Sequence, residues 1–338
     1  MRPVHPHLDT PRRIPRPSPT RRAPAIGLSV LAAAGLLAWQ LLAAGPAQAR
    51  AGDLDASFGA GGKVTTDFTG TADQANALVV QPDGKLVAAG WTLFVFGGWH
   101  DFALTRYNPD GRLDPTFSSD GKASADLSPF DEADALVVQP DGKLVAAGRA
   151  GFGSDFGLVR FNANGTRDPS FGSGGWVTTD FGGFDQANAL VVQADGKLVA
   201  AGSTVSFTGG GANSDFAVAR YNPDGSLDAG FGAGGKVTTD FAGGPDQANA
   251  LVVQPGGRLV AAGFATLSSS TDFALARYKR NGVLDRSFGS GGRVTTDFAG
   301  SGDQANALVV QGDRKLVAAG LAFTGSSTDF ALARYQAR

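Results

Sequence analysis

The chain has 338 residues, 49 of them glycine, no cysteine, and a formal net charge of −2. Without thiols there are no disulfides, no thiolate chemistry and no lipid-modified N-terminal cysteine. A neutral-to-acidic balance gives no footing for nucleic acid or an anionic membrane. Acid usage is lopsided, with Glu132 the single Glu against 30 Asp. Asp bonds nearby backbone in turns while Glu favours helices, so an all-β chain is expected.

The first 49 residues differ from the rest. They carry Arg2, Arg12, Arg13, Arg16, Arg21 and Arg22, then an apolar stretch from Ala25 to Ala44, then Ala47-Gln48-Ala49. A basic start, an apolar middle and a small-residue A-x-A site predict a secretory signal peptide over residues 1–49, with one domain over 50–338. The competing reading is a retained anchor, because about 20 apolar residues can span a bilayer. The small-residue site and the breaks at Gly35 and Gly45 favour cleavage. Arg21-Arg22 is a twin-arginine pair, but Ala23-Pro24-Ala25 follows it, so the export route stays open. Cleavage leaves 23 basic and 30 acidic residues, a net charge of −7. The expected product is a monomer, secreted or held in the cell envelope, with no membrane contact after cleavage.

From Leu54 onward one pattern recurs five times. Phe58, Phe117, Phe171, Phe231 and Phe288 mark its start at spacings of 59, 54, 60 and 57. A period in this range signals a repeat architecture. Each copy holds four short runs; in the first they are Val64–Phe68, Ala77–Gln81, Lys85–Gly90 and Asp101–Tyr107. Runs of 4–8 residues rich in Val, Thr, Phe and Tyr between Gly, Asp, Asn and Pro read as strands. Gln81-Pro82-Asp83-Gly84-Lys85 and its counterparts are tight hairpin turns. Four antiparallel strands per copy predict a five-bladed β-propeller. If Ala-Leu-Val-Val-Gln starts each blade and Val-Thr-Thr-Asp-Phe ends it, the last blade lacks its outer strand. Val64–Phe68 would then supply it and close the ring, removing an unpaired edge. An open solenoid is the alternative. In the second copy Lys122-Ala-Ser-Ala-Asp126-Leu127 departs from the pattern and predicts a weaker outer strand.

Chemistry-bearing residues are few. His100 is the one His beyond residue 49 and has no nucleophile beside it in sequence, so a hydrolytic triad and a zinc site are not expected. Asn108-x-Asp110-Gly111-x-x-Asp114 superficially looks like a calcium loop and returns at Asn222, Asp224 and Asp228. Asn164 and Lys279-Arg280-Asn281 break it in other copies, so it reads as a turn, and no cofactor is expected, calcium included. Asp101…Arg106, Asp155…Arg160, Asp215…Arg220, Asp272…Arg277 and Asp329…Arg334 recur in every copy. So do Asp73, Asp131, Asp185, Asp246 and Asp303. They read as repeated ion pairs and hydrogen bonds to backbone at blade ends. Asn76, Asp134, Asn188, Asn249 and Asn306 precede the inner strands and would line one mouth of an axial channel.

Only two links vary in length. The spacer between second and third runs is 10 residues at Trp91–His100, then 6, 12, 8 and 8; the link into each new blade is 3 or 4. In an up-and-down blade both lie on one face, where loop variation places specificity. The candidate ligand residues there are Trp91, Phe94, Phe96, Trp99, His100, Phe152, Phe207, Phe264 and Phe323. Aromatics on such a face stack on sugars or grip a protein.

The strings Val-Val-Gln-Pro-Asp-Gly-Lys-Leu-Val-Ala-Ala-Gly (79–90), Asn-Pro-Asp-Gly-Ser-Leu-Asp (222–228), Phe-Gly-x-Gly-Gly-Lys-Val (231–237) and Asp-Phe-Ala-Leu-Ala-Arg-Tyr (272–278) resemble the delta-60 repeat. The resemblance covers about residues 54–336 and implies a bacterial, exported β-propeller of undefined activity, with no functional residues to carry over. The expectation is a non-enzymatic binding or scaffold module for a carbohydrate or protein partner. The alternatives are a polysaccharide hydrolase or lyase using carboxylates such as Asp131, Glu132 and Asp134, and a purely structural envelope protein.

Overall fold

The computed structural model describes residues 50–336 apart from 69–71, 94–97, 153, 209–210, 269 and 299–301. The expected signal segment and its domain boundary lie outside the described residues. Nineteen strands form five antiparallel sheets, and no described residue is helical. The first sheet runs β1 (Asp73–Val80), β2 (Leu86–Leu93), β3 (His100–Tyr107) and β4 (Lys122–Ala125). The second is β5 (Glu132–Val138), β6 (Leu144–Ala150), β7 (Asp155–Phe161) and β8 (Trp176–Thr179). The third is β9 (Phe184–Val192), β10 (Leu198–Thr208), β11 (Gly211–Tyr221) and β12 (Lys236–Thr239). The fourth is β13 (Asp246–Val253), β14 (Leu259–Leu267), β15 (Ser270–Tyr278) and β16 (Arg293–Thr296). The fifth has three strands, β17 (Asp303–Val310), β18 (Leu316–Phe323) and β19 (Thr328–Tyr335).

These are propeller-type blades, and the core lies between them. Val87, Phe102 and Leu104 of the first sheet bury against Leu136, Leu144 and Val159 of the second. Equivalent clusters join the second to the third, the third to the fourth and the fourth to the fifth. A sheet covered on both faces needs apolar residues on both, which is why β6 (Leu-Val-Ala-Ala-Gly-Arg-Ala) is buried almost throughout. Its alanines allow the sheets to approach closely. The divergent β4 forms at the same four-residue length as β8, β12 and β16.

Each first strand carries a bulge. Ala187 pairs with Gly202 and Ala189 with Ala201, so Asn188 is the extra residue. Asn76, Asp134, Asn249 and Asn306 are skipped in the same way. The bulge explains the glycine opposite it: a Cβ at Gly202 would lie 1.8 Å from the Gln186 carbonyl oxygen.

Polar contacts at the turn-rich ends bind each blade to the next. Arg106 donates from Nε to Asp114 Oδ2 at 2.8 Å and from Nη1 to the Ala163 carbonyl of the following blade. Arg160 and Arg220 repeat this with Asp168 and Asp228 and with the carbonyls of Pro223 and Arg280. This corrects the expected pairing of Asp101 with Arg106. Five strand steps at about 3.3 Å put those residues at opposite ends of β3, so Arg106 takes the aspartate of the following turn instead.

Closure by Val64–Phe68 is not seen. These residues are not a strand and none pairs with β19. First strands pack in series, β1 on β5, β5 on β9, β9 on β13 and β13 on β17, with no such packing of β17 on β1. Residues 58–68 nevertheless dock on the first blade as outer strands dock elsewhere. Thr66 Oγ1 meets Tyr107 Oη at 2.7 Å, as Thr179 meets Tyr221 at 2.8 Å and Thr239 meets Tyr278 at 2.8 Å. Gly59 N donates to Asp110 O as Gly172 N does to Asp224 O, both at 2.7 Å. Phe330 of β19 is 99% exposed, whereas its counterparts Phe102, Phe156, Phe216 and Phe273 are fully buried.

Candidate functional site

The β2–β3 hairpin and the link from β4 to β5 meet at one end of the first two blades, where Asp131 N donates to His100 O at 2.8 Å. Aromatic rings gather there. Trp91 stacks on His100 with centroids 4.3 Å apart and planes 12° from parallel. Trp99 sets its ring edge-to-face against Phe130 at 5.3 Å and Phe152 at 5.6 Å, and Phe130 meets Phe152 at 4.6 Å. Trp99 is 37% exposed and Phe152 65%, so the cluster presents ring surface to solvent.

A charged group borders the rings. Glu132 opens β5 directly opposite Arg149 of β6, and its Oε1 lies 3.0 Å from Arg149 Nη2 and 3.1 Å from His100 Nδ1. The other blades carry Gln at the Glu132 position, and Trp91, Ser203, Phe264 and Leu321 at the Arg149 position. The ion pair is therefore a departure from the repeat at the point where the rings also concentrate. A carboxylate, a guanidinium and an imidazole beside exposed ring faces can hydrogen-bond hydroxyls while the rings cover C–H surface.

Of the sequence-expected ligand residues, the structure brings together Trp91, Trp99, His100 and Phe152. Phe94 and Phe96 lie outside the described residues. Phe207 pairs with Phe184 at 5.3 Å in the third blade, apart from the first cluster. Phe264 sits in register between Gln247 and Phe273, and Phe323 ends β18. These three are not gathered with the others: each lies on the second strand of its own blade. Phe130 was missed. Its signal was the link Ser128-Pro129-Phe130, which has an aromatic where the first, fourth and fifth copies have Ala72, Pro245 and Gly302.

The expected axial residues serve as bulges and as bridges between blades. Asn76 Nδ2 donates to Ala133 O at 2.9 Å, Asn188 Nδ2 to Ala248 O at 2.8 Å and Asn249 Nδ2 to Ala305 O at 2.9 Å. Asn306 Oδ1 accepts from Gln304 at 2.8 Å. Asp134 accepts from Gln186 Nε2 at 2.9 Å, and burial pushes its carboxyl up to about 6, with the nearby Glu132 charge adding to the rise. A groove of about 850 Å³ lies elsewhere, between β12 and residues 282–293. Its lining includes Gly232, Lys236, Val237 and Gly282, which recur in other copies, so it is a seam of the repeat.

The same face carries four groups of three aspartates: Asp101, Asp126 and Asp131; Asp155, Asp180 and Asp185; Asp215, Asp240 and Asp246; Asp272, Asp297 and Asp303. Among the described residues these are the sets able to hold a cation. Each comprises an aspartate of a third strand, the one after the short outer strand, and the one at the head of the following blade. Burial and mutual repulsion push Asp101 up to about 6 and Asp246 up to about 7.

Five repeated antiparallel blades, four of them four-stranded, define a propeller-type fold. The chain belongs to the family described as "Domain of unknown function (DUF5122) beta-propeller", whose profile matches residues 81–117, 139–171, 193–231, 254–288 and 311–337. A search of curated proteins returns no match. Among solved structures, Sqt1 of Chaetomium thermophilum is similar at 13% identity and TM-score 0.38, covering 74% of this chain and 68% of that one. An α-L-arabinofuranosidase from Lactobacillus brevis matches at 13% identity and TM-score 0.37, covering 77% and 89%. Plexin A of Drosophila matches at 13% identity and TM-score 0.30, covering 60% and 39%. Likeness at these levels carries no argument about activity.

Proposed function

We propose that the protein is an exported, non-enzymatic binding module whose ligand surface is the aromatic patch formed by Trp91, Trp99, His100, Phe130 and Phe152. The observation that carries this reading is the coincidence of two departures from the repeat: exposed rings, and the Glu132–Arg149 pair beside them. The third blade also exposes a ring pair, Phe184 and Phe207, but beside Gln186 and Ser203, so the conjunction of rings with an ion pair is what a structural role alone would not call for. The ligand class favoured is a glycan, since ring faces and a bidentate-capable guanidinium match its C–H and hydroxyl surfaces. A glycan array probed with the mature chain is expected to give hits that Trp99→Ala and Phe152→Ala each weaken at least tenfold. Protein capture without glycan binding would move the partner class to protein. Equal binding by wild type and both variants would remove the patch from the argument.

A hydrolytic reading has one supporting observation, the raised Asp134 carboxyl near Glu132. Release of reducing sugar by wild type and its loss in Glu132→Gln would favour it over simple binding.

The same reading includes removal of residues 1–49, and a repeat of delta-60 type whose ring closes on itself. Residues 63–66 would pair with β19 in the register that joins β15 to β16, placing Thr66 opposite Phe330 and Val64 opposite Leu332. Arg334 would then reach Asp55 as Arg277 reaches Asp285 at 3.0 Å. The exposed Phe330, Leu332, Leu78 and Val80 would become buried, at about 2 kcal/mol per side chain.

A further inference from the structure

The aspartate groups fall at the joints between blades and differ among themselves in one respect. At the joint between the third and fourth blades Asp246 is fully buried, and its Oδ2 accepts from Phe241 N at 2.7 Å while its Oδ1 has no donor. The nearby Thr266 N–H is already given to Pro245 O at 2.9 Å. Asp215 Oδ1, in the same group, is also buried without a donor. The groups at the neighbouring joints are similar: Asp185 and Asp303 are fully buried, each with one oxygen bound to a backbone N–H and Oδ1 without a donor in hydrogen-bond geometry, the Thr204 hydroxyl also interacting with the Asp185 carboxylate. The first joint is different. Asp131 Oδ1 accepts from Gly151 N at 3.0 Å and Ser128 Oγ at 3.1 Å, and its Oδ2 accepts from Leu127 N and Ser128 N.

We propose that the three later groups, Asp155–Asp180–Asp185, Asp215–Asp240–Asp246 and Asp272–Asp297–Asp303, are calcium sites that join consecutive blades. In each, one oxygen from every carboxylate lies within 4.8 Å of the other two. Calcium–oxygen distances of about 2.3–2.6 Å place ligands on opposite sides of the ion about 5 Å apart, so these oxygens already outline a coordination shell. The donors are all carboxylate oxygen, which selects a hard cation, and calcium's flexible coordination accepts such a set without the strict octahedron that magnesium needs. Like charges held this close, with one carboxylate of each group fully buried, favour uptake of a proton or a cation. The orphan Oδ1 atoms have neither a donor nor solvent, and a cation satisfies them. Asp215 and Asp240 come from one blade and Asp246 from the next, so the ion would pin that joint. The turn motif at Asn108–Asp114 is separate from these sites; its carboxylates are engaged with Arg106, Lys85 and backbone.

The test uses the chain from residue 50 to 338, stripped with a chelator and titrated with calcium chloride by calorimetry. Binding of about three ions per chain is expected, with dissociation constants of about 10⁻⁴–10⁻³ M as in other extracellular modules. Saturating calcium should raise Tm by about 5 °C or more. Asp240→Asn is the primary variant, because Asp240 is exposed and its loss leaves the buried pair in place. It should lower the stoichiometry from three to two; Asp180→Asn should do the same, and Asp195→Asn, in an exposed turn, should leave it at three. Absence of both heat and Tm shift in 10-fold excess over the expected constant would overturn the proposal. So would calcium binding whose stoichiometry is the same in wild type, Asp180→Asn and Asp240→Asn.

Discussion

Asp168 accepts from Arg160 Nε at 2.8 Å, Lys143 Nζ at 2.8 Å and both the N–H and hydroxyl of Ser170. Burial opposes its charge, but these donors hold its carboxyl well below the usual carboxylate range. The folded carboxyl thus titrates below the unfolded one, whose pKa is about 3.9. The unfolded chain binds the proton first, so the stability this group contributes is complete above about pH 5 and declines as pH falls through the folded value. Asp114 is held down in the same way in the first blade. Asp168→Asn leaves Arg160, itself buried, beside an uncharged partner and should cost about 3 kcal/mol at pH 7. Urea unfolding at pH 7 and pH 3 checks this: the gap between wild type and variant is expected to narrow at pH 3. A gap of equal size at both values would mean that packing rather than charge holds Asp168.

At the scale of the element, the bulge in each first strand ties three sequence features together. The Asn-Ala step supplies the extra residue, the Ala-Ala-Gly run supplies the space opposite, and the Asn amide bridges to the next blade. Gly202→Ala forces its Cβ onto the Gln186 carbonyl and cannot be absorbed by a side-chain rotation, because both groups are backbone. A loss of about 3 kcal/mol is expected, read as a lower denaturation midpoint with faster amide exchange across β9 and β10. Gly312→Ala is the control, since a Cβ there meets nothing within 4 Å. The strands, the hairpin turns and the blade order were legible because period-2 patterning and turn chemistry are local. The aromatic patch was only partly legible. Trp91 and Trp99 stood out in one loop, but Phe130 and the Glu132–Arg149 pair join them through strand pairing and blade stacking, and no sequence spacing reveals those contacts.

For the whole molecule, stability turns on the two ends of the array. One end presents Phe330 and Leu332 on β19, whose outer edge carries no strand, and the other presents Leu78 and Val80 on β1. Because the chain lacks cysteine, Thr65→Cys with Ala331→Cys is a clean probe. Closure within one chain is expected to yield an internal disulfide in a monomer on non-reducing electrophoresis. Disulfide-linked dimers or ladders would mean that a second copy completes the blade, the head-to-tail arrangement that builds filaments when it does not close. No disulfide of either kind would mean that the edge stays free.

Five repeats, an all-β chain, four strands to a blade and the phase of each blade follow from the amino-acid sequence alone. Hydrophobic alternation, Gly and Asp punctuation and the period are properties of the chain read a few residues at a time. What only the tertiary structure decided is which polar side chains share a space. Arg106 could not meet Asp101 because an extended strand separates them, and it met Asp114 because the chain turns back. Asp215, Asp240 and Asp246 converge only once one blade packs on the next. Charge interactions are set by distance in three dimensions, and that distance is fixed here by sheet stacking between residues far apart along the strands.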